Sequence, residues 1–416
     1  MNVRPTKRTG SVFILALIVL TAATTILALT VAAQRVSFKS TVNRMESKRA
    51  RLMAESAIQR AIAELAVDPQ TNLVDQNQTW FTLGNKGEDQ FMVGGESFRM
   101  QIVDAGAFLS LNSVTESQLL TLNMTQSQID SLLDWREAGD TPRAQGAKDE
   151  YYNTLDRPYN ARKGPLQTFD EVLLVKDWLP STVYDVPSVG GTNSQLTVTQ
   201  PLSQLFTVDS YSPNTNGSGQ ALQNINTVQA QQLVQAGLTQ QVAQAVIARR
   251  NGLGRFESMN QVFSTPGLNN NSGAVLLDRF TAATGNRATG RVNLNTASEE
   301  VLSLLPGMTI DVAQAIVSRQ TTGFATLGEI FQVPGVSLQL VTQFADQITV
   351  GGDTFLVRCE GRAGETRLCV ESVVQIVNGA PQVVKTMETS ETSMWQLWGW
   401  PEEPSSETVV SEDQRQ

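Results

Sequence analysis

Residues 11–33 read SVFILALIVLTAATTILALTVAA, 23 positions without a single charge. A helix of that length covers about 34 Å at ~1.5 Å per residue, enough to cross the hydrocarbon core of a bilayer. The helical pattern does not stop where the apolar run ends. Phe38, Val42, Met45, Leu52, Ile58, Ile62 and Leu65 keep a loose helical spacing, and the first proline beyond them is Pro69. One continuous helix is therefore expected, with 11–33 in the membrane and 34–67 exposed beyond it. A cleavable secretory signal is the competing reading, but its apolar core runs for only ~7–15 residues and then ends.

Ahead of the span, residues 1–10 read MNVRPTKRTG and hold Arg4, Lys7 and Arg8 with no acid. Bases before a span place the N-terminus in the cytoplasm and the rest of the chain outside. Without these three the net charge moves from −9 to −12, since 31 − 3 = 28 bases then face 40 acids. Polyanions such as DNA are disfavoured long-range partners for that body. The chain has no histidine, which removes Ser-His-Asp and Cys-His nucleophiles, imidazole bases and histidine metal sites together.

A short basic leader ending in Gly10, followed at once by an apolar stretch that continues as an amphipathic helix, resembles type IV pilins and the pseudopilins of type II secretion. The resemblance implies that a membrane prepilin peptidase cuts after Gly10 and methylates the new N-terminus, Ser11. Pilins usually carry glutamate as the fifth mature residue, whereas this chain has Leu15. That departure fits the minor pseudopilin K (GspK) family, whose members typically lack the glutamate.

Outward from the helix, FMVG and SFRMQIVDA alternate apolar and polar residues around Gly94-Gly95, a β-hairpin pattern. Comparable strands return only far downstream, as FLVRCEGR and TRLCVESVVQIV. Helical patterns fill the interval, so one antiparallel sheet, made of residues 68–107 and 346–400, has received a helical insertion. The expected class is α+β, a pilin-like sheet interrupted by α-helical repeats, which is the layout of the family it resembles. Within the insertion, Asn226-Thr227 and Asn295-Thr296 open two matching units, Val242 to Arg249 matches Val312 to Arg319, and Pro266-Gly267 matches Pro334-Gly335. These are the repeats at 222–280 and 290–345, and a diverged copy occupies 108–180. Each Asn or Thr is expected to cap the short helix that follows it. Residues 181–221 and 269–289, rich in Ser, Thr, Asn and Gly, read as linkers or surface loops, and the acidic tail 401–416 as disordered.

The repeats resemble helix-hairpin-helix proteins, including ComEA-like envelope DNA receptors. Those use a PGIG hairpin, whose two glycines bring backbone N–H groups to a phosphate that nearby bases neutralise. Here the hairpins read Pro306-Gly307-Met308-Thr309 and Ala236-Gly237-Leu238-Thr239, lacking the second glycine, and Arg249, Arg250 and Arg319 are the nearby positives. Structural or protein-contact use is expected in place of nucleic-acid binding.

The stretch DWREAGDTPRAQGAKDEYY gathers Asp134, Asp140, Asp149 and Glu150 around a flexible loop, the kind of hard oxygen set that calcium accepts. It is similar to a segment of the minor pseudopilin K family, some of whose members bind calcium, so these four are the candidate ligands; solvated surface acids are the competing reading. Cys359 and Cys369 fall on the two returning strands. A three-residue loop at 363–365 would face them as a disulfide, whereas a two-residue turn would offset them by one onto opposite faces. Trp395, Trp398 and Trp400 either close the core or meet a partner.

Three function classes compete. A non-enzymatic tip subunit of a pseudopilus, partnered by other minor pseudopilins, prepilin peptidase and the inner membrane, accounts for the leader, the helix and the split sheet. The minor pilin of a related type IV pilus is a variant of it. A DNA receptor accounts for the repeats alone, and no constellation supports an enzyme.

Overall fold

A computed structural model describes residues 9–186, 198–389, 394–404 and 406–409. Helix α1 runs unbroken over Thr9–Val67, with no glycine after Gly10 and no proline to interrupt it, and it ends just before Pro69. Among the described residues it is the one helix long and apolar enough to cross a membrane. The hydroxyls of Thr21, Thr24, Thr25 and Thr30 bond back to carbonyls three or four residues earlier, so the apolar span carries no loose polar group there.

The sheet has six strands: β1 (Asp89–Val93), β2 (Glu96–Asp104), β3 (Thr354–Ala363), β4 (Thr366–Val377), β5 (Ala380–Thr389) and β6 (Ser406–Val409), in the order β5-β4-β3-β2-β1-β6. All neighbours are antiparallel except β1 and β6. The split is closed by β2 and β3, whose register runs from Phe355 opposite Asp104 to Arg362 opposite Ser97. Strand β6 lies inside the tail expected to be disordered; residues 410–416 fall outside the described residues.

The two faces of this sheet differ. One buries Phe98, Met100, Ile102, Phe355, Val357 and Cys359 against Ala54, Ala57, Ala61 and Leu65 of α1. Small residues on the helix let the backbones approach, and a Cβ on Gly361 would lie 2.0 Å from the carbonyl oxygen of Ala50. The other face carries Arg99, Arg358 and Glu360, roofed by Trp395, Trp398 and Trp400, which are all buried. The tryptophans thus close the core. Beneath them Arg99 Nε donates to Glu360 Oε2 at 2.6 Å with both side chains fully buried, and Arg99 Nη1 donates to the carbonyl of Pro401 at 2.6 Å.

The β3–β4 turn settles the cysteines. Ala363 pairs with Thr366, so the turn has two residues, and Cys359 faces Val370 while Cys369 faces Glu360. The expected disulfide is corrected: adjacent positions of an antiparallel pair point to opposite faces, one thiol into the α1 core and the other under the tryptophans. Both are free and buried, and burial pushes the Cys369 thiol up to about 12.

Between β2 and β3 stand three modules, each opened and closed by a two-residue parallel strand pair. The pairs are Leu109–Ser110 with Phe206–Thr207, Gln223–Asn224 with Phe280–Thr281, and Val292–Asn293 with Ile348–Thr349. The helices include α2 (Glu116–Thr121) and α3 (Gln126–Arg136) in the first module, α4 (Ala230–Gln235), α5 (Gln240–Leu253) and α6 (Asn270–Arg279) in the second, α7 (Glu299–Ser303) and α8 (Ile310–Gln320) in the third. Two expected linkers are thereby corrected. Residues 270–279 form α6, because Asn269 and Ser272 make a reciprocal cap and Leu276 and Leu277 are buried. In 181–221, Phe206–Thr207 closes the first module and Tyr211–Pro213 pairs with Arg287–Thr289; residues 187–197 fall outside the described residues.

The insertion crowns the end of the sheet farthest from the span. Near the span, Arg49 pairs with Glu96 at 3.2 Å and Glu46 accepts from Thr366 at 3.4 Å. At the opposite end, where the chain leaves the sheet, the buried Asp104 carboxylate accepts from Gly106 N, Asn293 Nδ2 and Thr296 Oγ1 at 2.9, 2.8 and 2.6 Å. Burial raises the pKa of that carboxyl. Asn293 Nδ2 also donates to Val74 O at 2.9 Å, tying the third module to the segment after α1.

Candidate functional site

The three modules repeat one hydrogen-bond design. Asn112, Asn226 and Asn295 each clasp the backbone of a distant residue: Leu166, Phe256 and Phe324, which lie 54, 30 and 29 residues on. In every case the amide donates to that residue's carbonyl and accepts from its N–H. The expectation that Asn226 and Asn295 cap short helices is corrected, since Gln229 and Ser298 hold those positions. The side chain two residues earlier, Ser110, Asn224 or Asn293, accepts from the clasp residue's own N–H. At the hairpin, Asn123, Gly237 and Gly307 take positive φ, and Thr125, Thr239 and Thr309 cap the second helix. An asparagine stands in the first module where the others use glycine, since it too tolerates the left-handed region.

Several bases of the repeats are bonded within their own modules. Arg136, Arg250 and Gln320, at equivalent places near the second helix's end, each donate to two carbonyls flanking the clasp asparagine: Leu111 and Val114, Ile225 and Val228, Leu294 and Ala297. Burial lowers Arg136 to about 10. Arg249 Nε donates to Gln261 O at 3.0 Å. Arg319 pairs with Glu329 at 2.6 Å and lies 4.8 Å over the Phe324 ring. None of these guanidinium groups is left aimed at a phosphate, and each hairpin keeps the single glycine or asparagine noted above.

In the acidic loop the candidate ligands are engaged by bases. Asp134 is buried and accepts from Arg143 N and Nη1, both at 2.9 Å, while Asp140 and Asp149 share the ammonium of Lys163. Lys148 Nζ donates to the carbonyls of Asp134 and Glu137, and Glu150 is exposed. Three of the four candidate ligands, Asp134, Asp140 and Asp149, thus have an amine or guanidinium partner. Among the described residues no cluster of three acids or thiols could hold a metal. Hydrogen bonding to Lys163 lowers the Asp149 pKa, and Asp140 and Asp149 raise that of Lys163.

Gly10 and Ser11, the expected cleavage and methylation positions, lie in the first turn of α1; residues 1–8 fall outside the described residues. The helix itself is exposed over most of its N-terminal half. From Val12 to Thr41 every residue is exposed, over about 45 Å at ~1.5 Å per residue; Val42 and Glu46 are half-buried, and packing on the sheet begins at Ala50. Val36, Phe38 and Met45 are exposed.

Residues 110–187 match the family model described as type II secretion system (T2SS), protein K, and residues 287–349 match the helix-hairpin-helix motif. No curated protein matches the chain. Among solved structures it is similar to a chain of the GspK-GspI-GspJ complex from the enterotoxigenic Escherichia coli type 2 secretion system. That match has 15% identity and a TM-score of 0.42, and covers 85% of this chain and 100% of that one. Residues 110–187, the first helical module, thus resemble a domain of protein K of the type II secretion system.

Proposed function

We propose that this chain is a non-enzymatic minor pseudopilin at the tip of a type II secretion pseudopilus, where it helps initiate assembly and protein export. On this reading it is a single-pass inner-membrane protein with a cytoplasmic N-terminus, cut after Gly10 and methylated at Ser11, and its body lies outside the cytoplasm. The observation that carries the proposal is the opposition of two ends. A bare helix extends toward the membrane from Arg49, while three helical modules crown the far end of the sheet around Asp104. A subunit inside a filament needs neighbours above and below; a crowned one leaves room only below. Other minor pseudopilins are then the partners that cover α1, since an exposed helix of that length with so broken an apolar stripe is not stable by itself.

Mass spectrometry of the membrane-extracted protein should find a chain beginning at Ser11, and electron microscopy of the full-length protein expressed alone should find no long filaments. A mature terminus near Ala33 would replace this reading with ordinary secretion. Long homofilaments would contradict the tip position.

A further inference from the structure

Between residues 35 and 51, α1 carries Arg35, Lys39, Arg44, Lys48, Arg49 and Arg51 against one acid, Glu46. Glu46 is turned to the β3–β4 hairpin, where it accepts from Thr366. Arg49 pairs with Glu96 and Arg51 with Glu388; among the described residues the other four bases have no ion pair. Along the same stretch Val31, Phe38, Met45 and Leu52 recur every seven residues and are 40%, 73%, 50% and 56% exposed. A seven-residue step drifts only ~20° around a helix, so these four form one stripe.

With that stripe at the a positions of a heptad, the e and g positions are Arg35, Val42 and Arg49, and Ser37, Arg44 and Arg51. Charges at e and g set partner choice in paired helices. A second copy of this chain, running parallel, would place arginine against arginine. The d positions Gln34, Thr41 and Lys48 are polar, so the seam is too narrow to hold a neighbour by apolar burial alone.

We propose that this seam receives a parallel helix of a different chain with acidic flanks, selected by Arg44 and Lys48, and that it rejects a second copy of this chain. The proposal rests on the reading of the chain as an assembling subunit. Anionic lipid is the less suitable occupant of these two bases. Arg44 lies 11 residues past residue 33, about 17 Å along the helix, or roughly two Debye lengths of ~8 Å at physiological salt.

The test uses the full-length chain in its native membrane, carrying Arg44→Glu and Lys48→Glu together. Recovery of co-purifying minor pseudopilins should fall at least about tenfold, as expected when like charges are juxtaposed, with helix content by circular dichroism unchanged. Differently tagged wild-type and reversed chains, co-expressed, should now co-purify with each other, whereas two wild-type copies should not. Unchanged recovery in the reversed variant, alongside loss in Met45→Asp, would overturn the charge selection while leaving α1 as the docking surface. Unchanged recovery in both variants would overturn the docking surface as well. A loss that disappears on reconstitution in vesicles without anionic lipid would assign the bases to the membrane and overturn the proposal.

Discussion

The helical modules and the long helix are both rich in arginine, and they use it oppositely. Arg136 and Arg250 are bonded to carbonyls inside their own modules, and Arg249 and Arg319 to a backbone carbonyl and a carboxylate 12 and 10 residues on. Arg44 on α1 sits in solvent with no ion pair among the described residues. A basic residue near a helix-hairpin-helix turn is therefore no sign of nucleic-acid contact in this chain. The difference separates an interior that fixes shape from a surface left available, and substitutions in the two should act on different properties.

The largest effect should come from the most inward charge. Glu360→Ala strands Arg99 under the tryptophan roof, and removing one member of such a buried pair costs about 3–5 kcal/mol; chemical denaturation of the purified protein measures it. Asn295→Ala should follow. It leaves the N–H and carbonyl of Phe324 unpaired in a buried site, at about 1–3 kcal/mol for each unsatisfied group, and Asn226→Ala should act alike in the second module. Equal stability of the Asn295 variant and the parent would remove the clasp from the account.

A smaller effect is expected at the acidic loop. The Asp149 pKa is lowered in the fold, so its contribution is present above the ordinary 3.8 and is lost as pH falls through the depressed value. The Lys163 pKa is raised, so its contribution is complete below the ordinary 10.5 and is lost as pH rises through the raised value. Lys163→Met should therefore lower the melting temperature slightly on the plateau between those values and leave the extremes unchanged. Calcium at millimolar concentration should not shift the parent's melting temperature; a shift abolished by Asp140→Asn and Asp149→Asn would restore the acids as ligands. The smallest effect on stability belongs outward: Arg44→Ala should stay within about 0.5 kcal/mol of the parent, and duplex DNA should bind the body weakly at physiological salt whether or not Arg249 and Arg319 are present.

Much of this was legible in the residues. An uncharged run that passes into a helical pattern identified α1, the glycine pair at Gly94-Gly95 marked the first hairpin, and shared spacing revealed the repeats. Strand β5 is harder to read because PQVVKTMET alternates weakly, although Asn378-Gly379 before it is a strong hairpin turn with positive φ at both residues. Helix α6 was hidden by the polar run Asn269 to Ser272, which reads as loop and acts as a reciprocal cap. The disulfide hinged on a single residue of turn length. Lys163 and the asparagine clasps could not be read locally, since their partners lie 14 to 54 residues away; the recurrence of Asn at one place in each copy was the available signal.

If α1 and not the repeats is the assembling surface, Met45→Asp and Ile310→Asp should separate: both positions are exposed and apolar, one on the bare helix and one beside the third module's hairpin. Each variant is expressed at full length beside the other minor pseudopilins, and the complex recovered from the membrane is quantified against the parent. Met45→Asp should lose most of its partners while Ile310→Asp retains them. Retention by Met45→Asp with loss by Ile310→Asp would place assembly on the helical modules and contradict the account.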